Sequence, residues 1–199
     1  HPGTEAGNAV ADILFGKVNP GGKLPMTLPR CTGQIPIYYN LEPAARNVNG
    51  YYGNCEYKNY HDCDGTPMYP FGYGLSYSHF KISGVTVDRK EITLSEIKNG
   101  ERFKFSVDIK NISDIAGSEV VQLYARDNVA SMTRPLRELK AYKKVMLKPQ
   151  ESKKILLEIG FDELGFYGSN GRFVVEPGEF DIFIGNDSYA EKAVTVEVN

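Results

Sequence analysis

Apolar and polar positions along this chain follow two different periods. Near the amino end, Ala6, Ala9, Val10, Ile13 and Leu14 recur at the i, i+3, i+4, i+7, i+8 spacing of one helical face. Thr4 stands where an N-cap belongs, Glu5 suits a first turn, and Gly16 ends the pattern. The spacing predicts one amphipathic helix over 4–15. A single helix of this kind cannot bury its face alone, so another element must cover it.

From Lys81 onward the period becomes two. Phe103, Phe105, Val107 and Ile109 alternate with Lys104, Ser106, Asp108 and Lys110. Val121 with Leu123, Ile155 through Leu157 to Ile159, Phe180 through Ile182 to Ile184, and Val194 through Val196 to Val198 repeat the alternation. Turn chemistry separates these runs at Asn99-Gly100, Lys148-Pro149, Asn170-Gly171, Pro177-Gly178 and Gly185-Asn186-Asp187. At least seven short strands with one apolar face each predict two antiparallel sheets packed face to face. The expected fold class is therefore mainly β, a β-sandwich preceded by one helix and an extended linker.

Between these regions, residues 16–80 follow neither period. Pro20, Pro25, Pro29, Pro36, Pro43, Pro67 and Pro70 exclude a long helix and keep any strand short. Lys23-Leu24-Pro25-Met26-Thr27-Leu28-Pro29 reads as one brief edge strand. The tyrosines from Tyr38 to Tyr77 mark a segment lying over another surface, since a tyrosine buries apolar area while keeping a polar tip. Tyr69-Pro70-Phe71-Gly72-Tyr73-Gly74-Leu75-Ser76-Tyr77 suits neither a helix interior nor a central strand, and marks a fixed crossing into the strand-rich region. The expected organisation is 1–30, 31–80 and 81–199.

Composition narrows the function classes. The 199 residues are 41% hydrophobic, enough for a core, and the net charge of -2 leaves no basic stripe for nucleic acid. No apolar run is long enough to cross a bilayer. The chain starts without an initiator Met or a signal-peptide pattern, as expected of a piece of a longer protein. The three cysteines, Cys31, Cys55 and Cys63, leave at least one thiol free, which leans toward a reducing, cytoplasmic compartment. Cys55 and Cys63 either close a small loop or remain thiols; their spacing leaves both open.

Candidate chemistry is sparse. Glu5 and Asp12 lie near one helical face about 10 Å apart along the axis, too far for a catalytic carboxylate pair and ordinary for a helix surface. Gly16 to Lys23 lacks the glycine and the Ser/Thr of a phosphate loop, since Lys17 and Leu24 stand in those places. His61-Asp62-Cys63-Asp64 offers four ligand types, but neighbours in an extended segment point apart, which favours a polar loop over a metal site. Arg126, Arg134 and Arg137 are expected to pair with Glu119 and Glu138 along the strands. Asn111-Ile112-Ser113 and Asn186-Asp187-Ser188 have the form of glycosylation sequons. No cofactor, no metal and no catalytic residue is expected in this chain.

Three blocks, in order, resemble the tail of the family 3 glycoside hydrolases, the β-glucosidase/β-xylosidase family. Glu5 to Gly16 with Asn19-Pro20-Gly21-Gly22-Lys23-Leu24-Pro25 is similar to the end of that family's α/β-sandwich domain. The Tyr69 to Tyr77 crossing resembles its domain junction. Arg134-Pro135-Leu136-Arg137-Glu138-Leu139-Lys140-Ala141-Tyr142, Val175 to Phe180 and Ile184-Gly185 resemble its fibronectin type III-like domain. Ile37-Tyr38-Tyr39-Asn40 resembles the family's linker, but Glu42-Pro43-Ala44-Ala45-Arg46 departs from the usual Lys-Pro or Gly-Arg-Pro continuation, as does Cys55 to Cys63.

The resemblance implies an immunoglobulin-like, fibronectin type III-like sandwich over 81–199. It also implies a parent enzyme that removes β-linked sugars from non-reducing ends by a retaining mechanism, with two carboxyl groups roughly 5 Å apart. Both carboxylates belong to parts of the family that precede Glu5, and no residue here matches them. This chain is then a stabilising module, with the preceding catalytic domains as its partner and a β-glycoside as the parent's substrate. The linker tyrosines favour packing over sugar stacking, with Arg46 and Tyr52 as the candidate contacts at the rim of the parent's substrate site. The alternative is a stand-alone carbohydrate- or protein-binding sandwich.

Overall fold

The computed structural model describes residues 3–43 and 65–199. Its strands are β1 (Phe80–Val87), β2 (Glu91–Ile92), β3 (Phe103–Asn111), β4 (Gly117–Asp127), β5 (Glu138–Leu147), β6 (Ser152–Ile159), β7 (Phe166–Tyr167), β8 (Phe173–Val174), β9 (Gly178–Gly185) and β10 (Lys192–Val198). They form a three-stranded sheet in the order β1-β3-β6, a five-stranded sheet in the order β2-β10-β9-β4-β5, and a small β7-β8 hairpin. All pairings are antiparallel except β2 with β10. The mainly-β sandwich expected from the alternation is present.

Its core is the set of positions that the period-two pattern marks. Phe103, Phe105, Val107 and Ile109 of β3 are fully buried, with Ile155, Leu157 and Ile159 of β6 beside them. They pack in one cluster with Val121, Leu123 and Ala125 of β4, Phe180, Ile182 and Ile184 of β9, and Val196 and Val198 of β10. Burial of large apolar side chains, each worth about 1.5–3 kcal/mol, fixes the register, because a one-residue slip would turn the whole row outward.

Two short helices interrupt the strands where the alternation predicts only turns. Helix α2 (Leu94–Lys98) opens on a capping box: the Thr93 hydroxyl accepts the Glu96 N–H, and the Glu96 carboxylate accepts the Thr93 N–H. Its Ile97 is fully buried. Asn99-Gly100 therefore ends a helix rather than turning a hairpin, with Gly100 at φ 96°. Helix α3 (Phe161–Leu164) follows β6 and plugs Leu164 into the core.

The amino-terminal helix α1 spans Ala6–Leu14, shorter than the expected 4–15. Glu5, not Thr4, occupies the N-cap position, in a non-extended conformation without a side-chain cap. Gly16, at φ 74°, ends the helix as expected. The helix is a surface element with no buried residue.

The expected 23–28 strand takes a reduced form. Leu28 and Tyr69 make an isolated antiparallel bridge, while the Leu24 N–H donates to the Tyr73 carbonyl and the Gly72 N–H to the Leu24 carbonyl. Pro25 and Pro29 supply no ladder donor, so pairing stays discontinuous. Its partner is the aromatic crossing of this same chain.

Candidate functional site

The chemistry-bearing residues of the described chain gather where the amino-terminal segment meets the sandwich. Asn19 is the hub. Its Nδ2 donates to Ser78 Oγ (2.7 Å) and to the Ala116 carbonyl (2.9 Å). Its Oδ1 accepts from Ser76 Oγ and from the Tyr77 N–H, both at 2.9 Å. One amide thus joins the turn after α1, the aromatic crossing and the loop entering β4. Ser78 extends the clasp by donating to the Ile115 carbonyl, and the Tyr77 hydroxyl donates to the Ile13 carbonyl near the end of α1.

Next to this hub, Lys23 Nζ lies 2.6 Å from Glu119 Oε1, with side chains only 13% and 9% exposed. At the other end of the crossing, Gln122 donates to the Gly72 and Asn186 carbonyls and accepts the Tyr124 hydroxyl. The Ser188 N–H donates to the Phe71 carbonyl. Tyr39 stacks on Phe71 with ring centroids 4.1 Å apart and meets Tyr124 edge-on at 6.0 Å. Burial raises the Tyr39 hydroxyl above its ordinary pKa, although that oxygen accepts the Leu139 N–H. The described part of the linker is thus held against the sandwich, as its tyrosines predict.

Beside the clasp opens a groove of about 730 Å³, bounded by Ile13, Val18, Leu24, Tyr69, Tyr73 and Leu75 among others. The apolar face of α1 is uncovered, with Val10 52%, Leu14 72% and neighbouring Phe15 83% exposed. Leu75, on the groove, is 69% exposed. This surface has the character of an unfilled interface.

Carboxylates near it are occupied in ordinary surface roles. Glu5 accepts from Asn8, and Asp12 pairs with Lys17 at 3.1 Å. Among the described residues, no group of three or more His, Cys, Asp or Glu side chains could hold a metal ion. Arg46, Tyr52, the Cys55 and Cys63 pair and the His61 to Asp64 cluster lie outside the described residues.

A second concavity, about 420 Å³, lies between β4 and β5. Pro43, Arg126, Asp127, Asn128, Thr133 and Arg134 line it, with Val129 and Met132. Burial pushes the Asp127 carboxyl up to about 6, opposed by the Arg134 charge and reinforced by Glu176 and Glu138. Ser131 closes one wall by donating from N and Oγ to the Glu176 carboxylate, which holds Glu176 below its usual range.

The expected arginine pairs are only partly formed. Arg134 meets Glu138 at 2.6 Å and also stacks over Phe166. Glu119, however, is taken by Lys23, because the amino-terminal segment brings a lysine onto β4. Arg137 is buried, lies over the Phe183 ring, and donates to the Ser188 and Ala190 carbonyls. Asn111, the first residue of one sequon, is fully buried and its amide donates to the Ile115, Leu147 and Lys148 carbonyls, a structural role.

Sequence reasoning picked out Asn19-Pro20-Gly21-Gly22-Lys23 within a block but not the roles of its asparagine and lysine, and it passed over Gln122. The one available signal for Gln122 was a polar residue flanked by Val121 and Leu123.

Comparison with known proteins matches these two halves separately. Residues 1–77 match the glycosyl hydrolase family 3 C-terminal domain, and residues 119–188 match the fibronectin type III-like domain. A periplasmic beta-glucosidase of Salmonella typhimurium is 40% identical over 196 residues, covering 98% of this chain and 25% of that protein. A beta-xylosidase of Formosa agariphila is 41% identical over 196 residues, with the same two coverages. The crystal structure of a beta-glucosidase from Listeria innocua in complex with isofagomine superposes with a TM-score of 0.86 at 43% identity, covering 99% of this chain and 27% of that one. The chain therefore spans about a quarter of the length of the relatives it matches.

Proposed function

This chain belongs to glycoside hydrolase family 3, whose C-terminal and fibronectin type III-like regions it carries, and from that premise we propose that it is the stabilising tail of a β-glycosidase. The catalytic carboxylates of the retaining reaction lie in the preceding part of the polypeptide, and this chain is itself catalytically silent. Residues 1–30 complete the α/β-sandwich domain, 31–80 run as the linker, and 81–199 form the fibronectin type III-like domain. The parent acts on β-linked glucosides or xylosides.

The observation that carries this reading is the uncovered α1 face and its neighbouring groove, both tied to the sandwich through Asn19. A lone binding sandwich has no use for an apolar helix clasped to its edge. A module that presents the final helix of a neighbouring domain does. The test is complementation in trans: the preceding polypeptide and this chain are expressed separately and mixed with p-nitrophenyl β-glucoside and β-xyloside. Activity of the mixture with an inactive tail is the expected result. Hydrolysis by this chain alone, or full activity and unchanged thermal stability of the parent after deletion of 81–199, overturns it.

A further inference from the structure

The polar concavity at the end of β4 has no part in the clasp, and its chemistry points to a ligand. Arg126 is half-buried and forms no ion pair among the described residues, while its neighbour Arg134 is neutralised by Glu138. A partly desolvated guanidinium without a carboxylate is costly unless something else meets its donors. The charges left facing the cavity are Arg126 and Asp127, which balance. Arg134 is paired with Glu138 and Glu176 is engaged by Ser131, so the lining carries no net charge that would draw either an anion or a cation. The favoured occupant is neutral and both donates and accepts hydrogen bonds.

We propose that this pocket, formed by Arg126, Asp127, Asn128, Thr133 and Arg134, is a binding site for a neutral saccharide, separate from the groove beside α1. Arg126 supplies N–H donors to sugar hydroxyls and Asp127 accepts from them. The Thr133 hydroxyl, on an exposed residue, does both. Val129 and Met132, 78% and 43% exposed on the same rim, offer apolar contact to the C–H face of a pyranose ring. The volume of about 420 Å³ falls within the roughly 300–1,000 Å³ typical of small-molecule pockets. The choice of a saccharide over another neutral polyol rests on the family reading above; the pocket itself does not.

The test is backbone amide NMR of this 199-residue chain titrated with cellobiose, laminaribiose and xylobiose at millimolar concentration, with sorbitol and sulfate as comparisons. The expected result is shifts centred on 126–134 with a disaccharide, about tenfold weaker in Arg126→Ala as one charge-assisted hydrogen bond is lost. Thr133→Val, on the exposed rim, is the second variant should Arg126→Ala disturb the fold; it too is expected to weaken binding. No shift with any disaccharide, or an equal response to sulfate, overturns the site. Binding unaffected by a folded Arg126→Ala or by Thr133→Val also overturns it. The family reading fails separately: if the parent proves inactive on β-glycosides while the shifts appear, the pocket stands, and if the parent is active without shifts, only the pocket falls.

Discussion

Asn19 Nδ2 donates to Ser78 Oγ across 59 positions of sequence, at 2.7 Å, while its own Oδ1 accepts from Ser76 and Tyr77. A single side-chain amide therefore uses both its donor and acceptor ends to close the junction. Asn19→Ala leaves several polar partners without a mate and is expected to cost about 1–3 kcal/mol. Asn19→Asp keeps the acceptor role but loses both donations, and sets a carboxylate against the Ala116 carbonyl. Urea denaturation should rank both variants below wild type, and equal stability of Asn19→Ala would remove the hub from the account.

Lys23 and Glu119 form the second tie. Because both side chains are nearly buried, removing one partner strands the other charge. Lys23→Met is expected to destabilise by about 3 kcal/mol. The double variant Lys23→Met with Glu119→Leu should recover most of that loss. Amide exchange at Leu24, whose N–H bonds to Tyr73, reads the junction directly. A double variant no better than the single one would show that the pair is not the source of the cost.

The sandwich was largely legible in the sequence because its core strands have one face in and one face out. β3 and the end of β10 display that period without interruption, and β6 and β9 display it with one extra apolar residue each, Leu156 and Phe183. Phe103 to Ile109, Ile155 to Ile159, Phe180 to Ile184 and Val196 to Val198 land in the core at every second position. β5 was seen only through the family resemblance: it is an edge strand whose lysines and exposed Tyr142 and Met146 blur the alternation. Helix α2 was missed although Thr93 and Glu96 spell a capping box, because a five-residue helix has no period to count. The clasp was least visible. Asn19, Lys23 and Gln122 bond residues roughly 50–100 positions away or to the far side of the crossing, and no local pattern encodes such pairing.

Gly72 sits at φ 79°, and a Cβ there would overlap Gln122 Oε1 and lie 2.8 Å from the Tyr124 hydroxyl. Gly171, at φ 72°, has open space around it. Gly171→Ala should therefore cost only the left-handed backbone term, about 1–2 kcal/mol. Gly72→Ala carries that cost plus overpacking of about 1–3 kcal/mol. Parallel thermal melts check the difference, and equal costs would mean that the crossing shifts away from β4 without penalty.

Asp127 makes stability depend on pH in an unusual direction for a carboxylate. Burial raises its folded pKa to about 6 from the ordinary 3.8. The folded state thus holds the proton more tightly, so this contribution is fully present below about 3.8 and is lost as pH rises through about 6. Asp127→Asn removes the charge and should stabilise the chain at neutral pH by on the order of 1 kcal/mol, after discounting for solvent screening of a half-exposed group. It should change little at pH 4. Melting temperatures at the two pH values test this, and a gain at pH 4 equal to that at neutral pH would contradict the burial origin.

The uncovered helix yields the sharpest contrast between this chain and its parent. At nine residues, α1 is too short to persist on its own and is held at its end by the Tyr77 hydroxyl on the Ile13 carbonyl. Val10 and Leu14 touch solvent here, so Val10→Glu and Leu14→Lys should shift the melting temperature of this chain very little and reduce its self-association in sedimentation velocity. Under the proposal that α1 completes the α/β-sandwich domain of a longer glycosidase, the same positions face the remainder of that domain in the full-length protein. There, each substitution buries an unpaired charge, and loss of soluble, active enzyme is expected. If both substitutions leave the parent's stability and β-glycosidase activity intact, α1 does not complete the neighbouring domain, and its apolar face must serve some other contact.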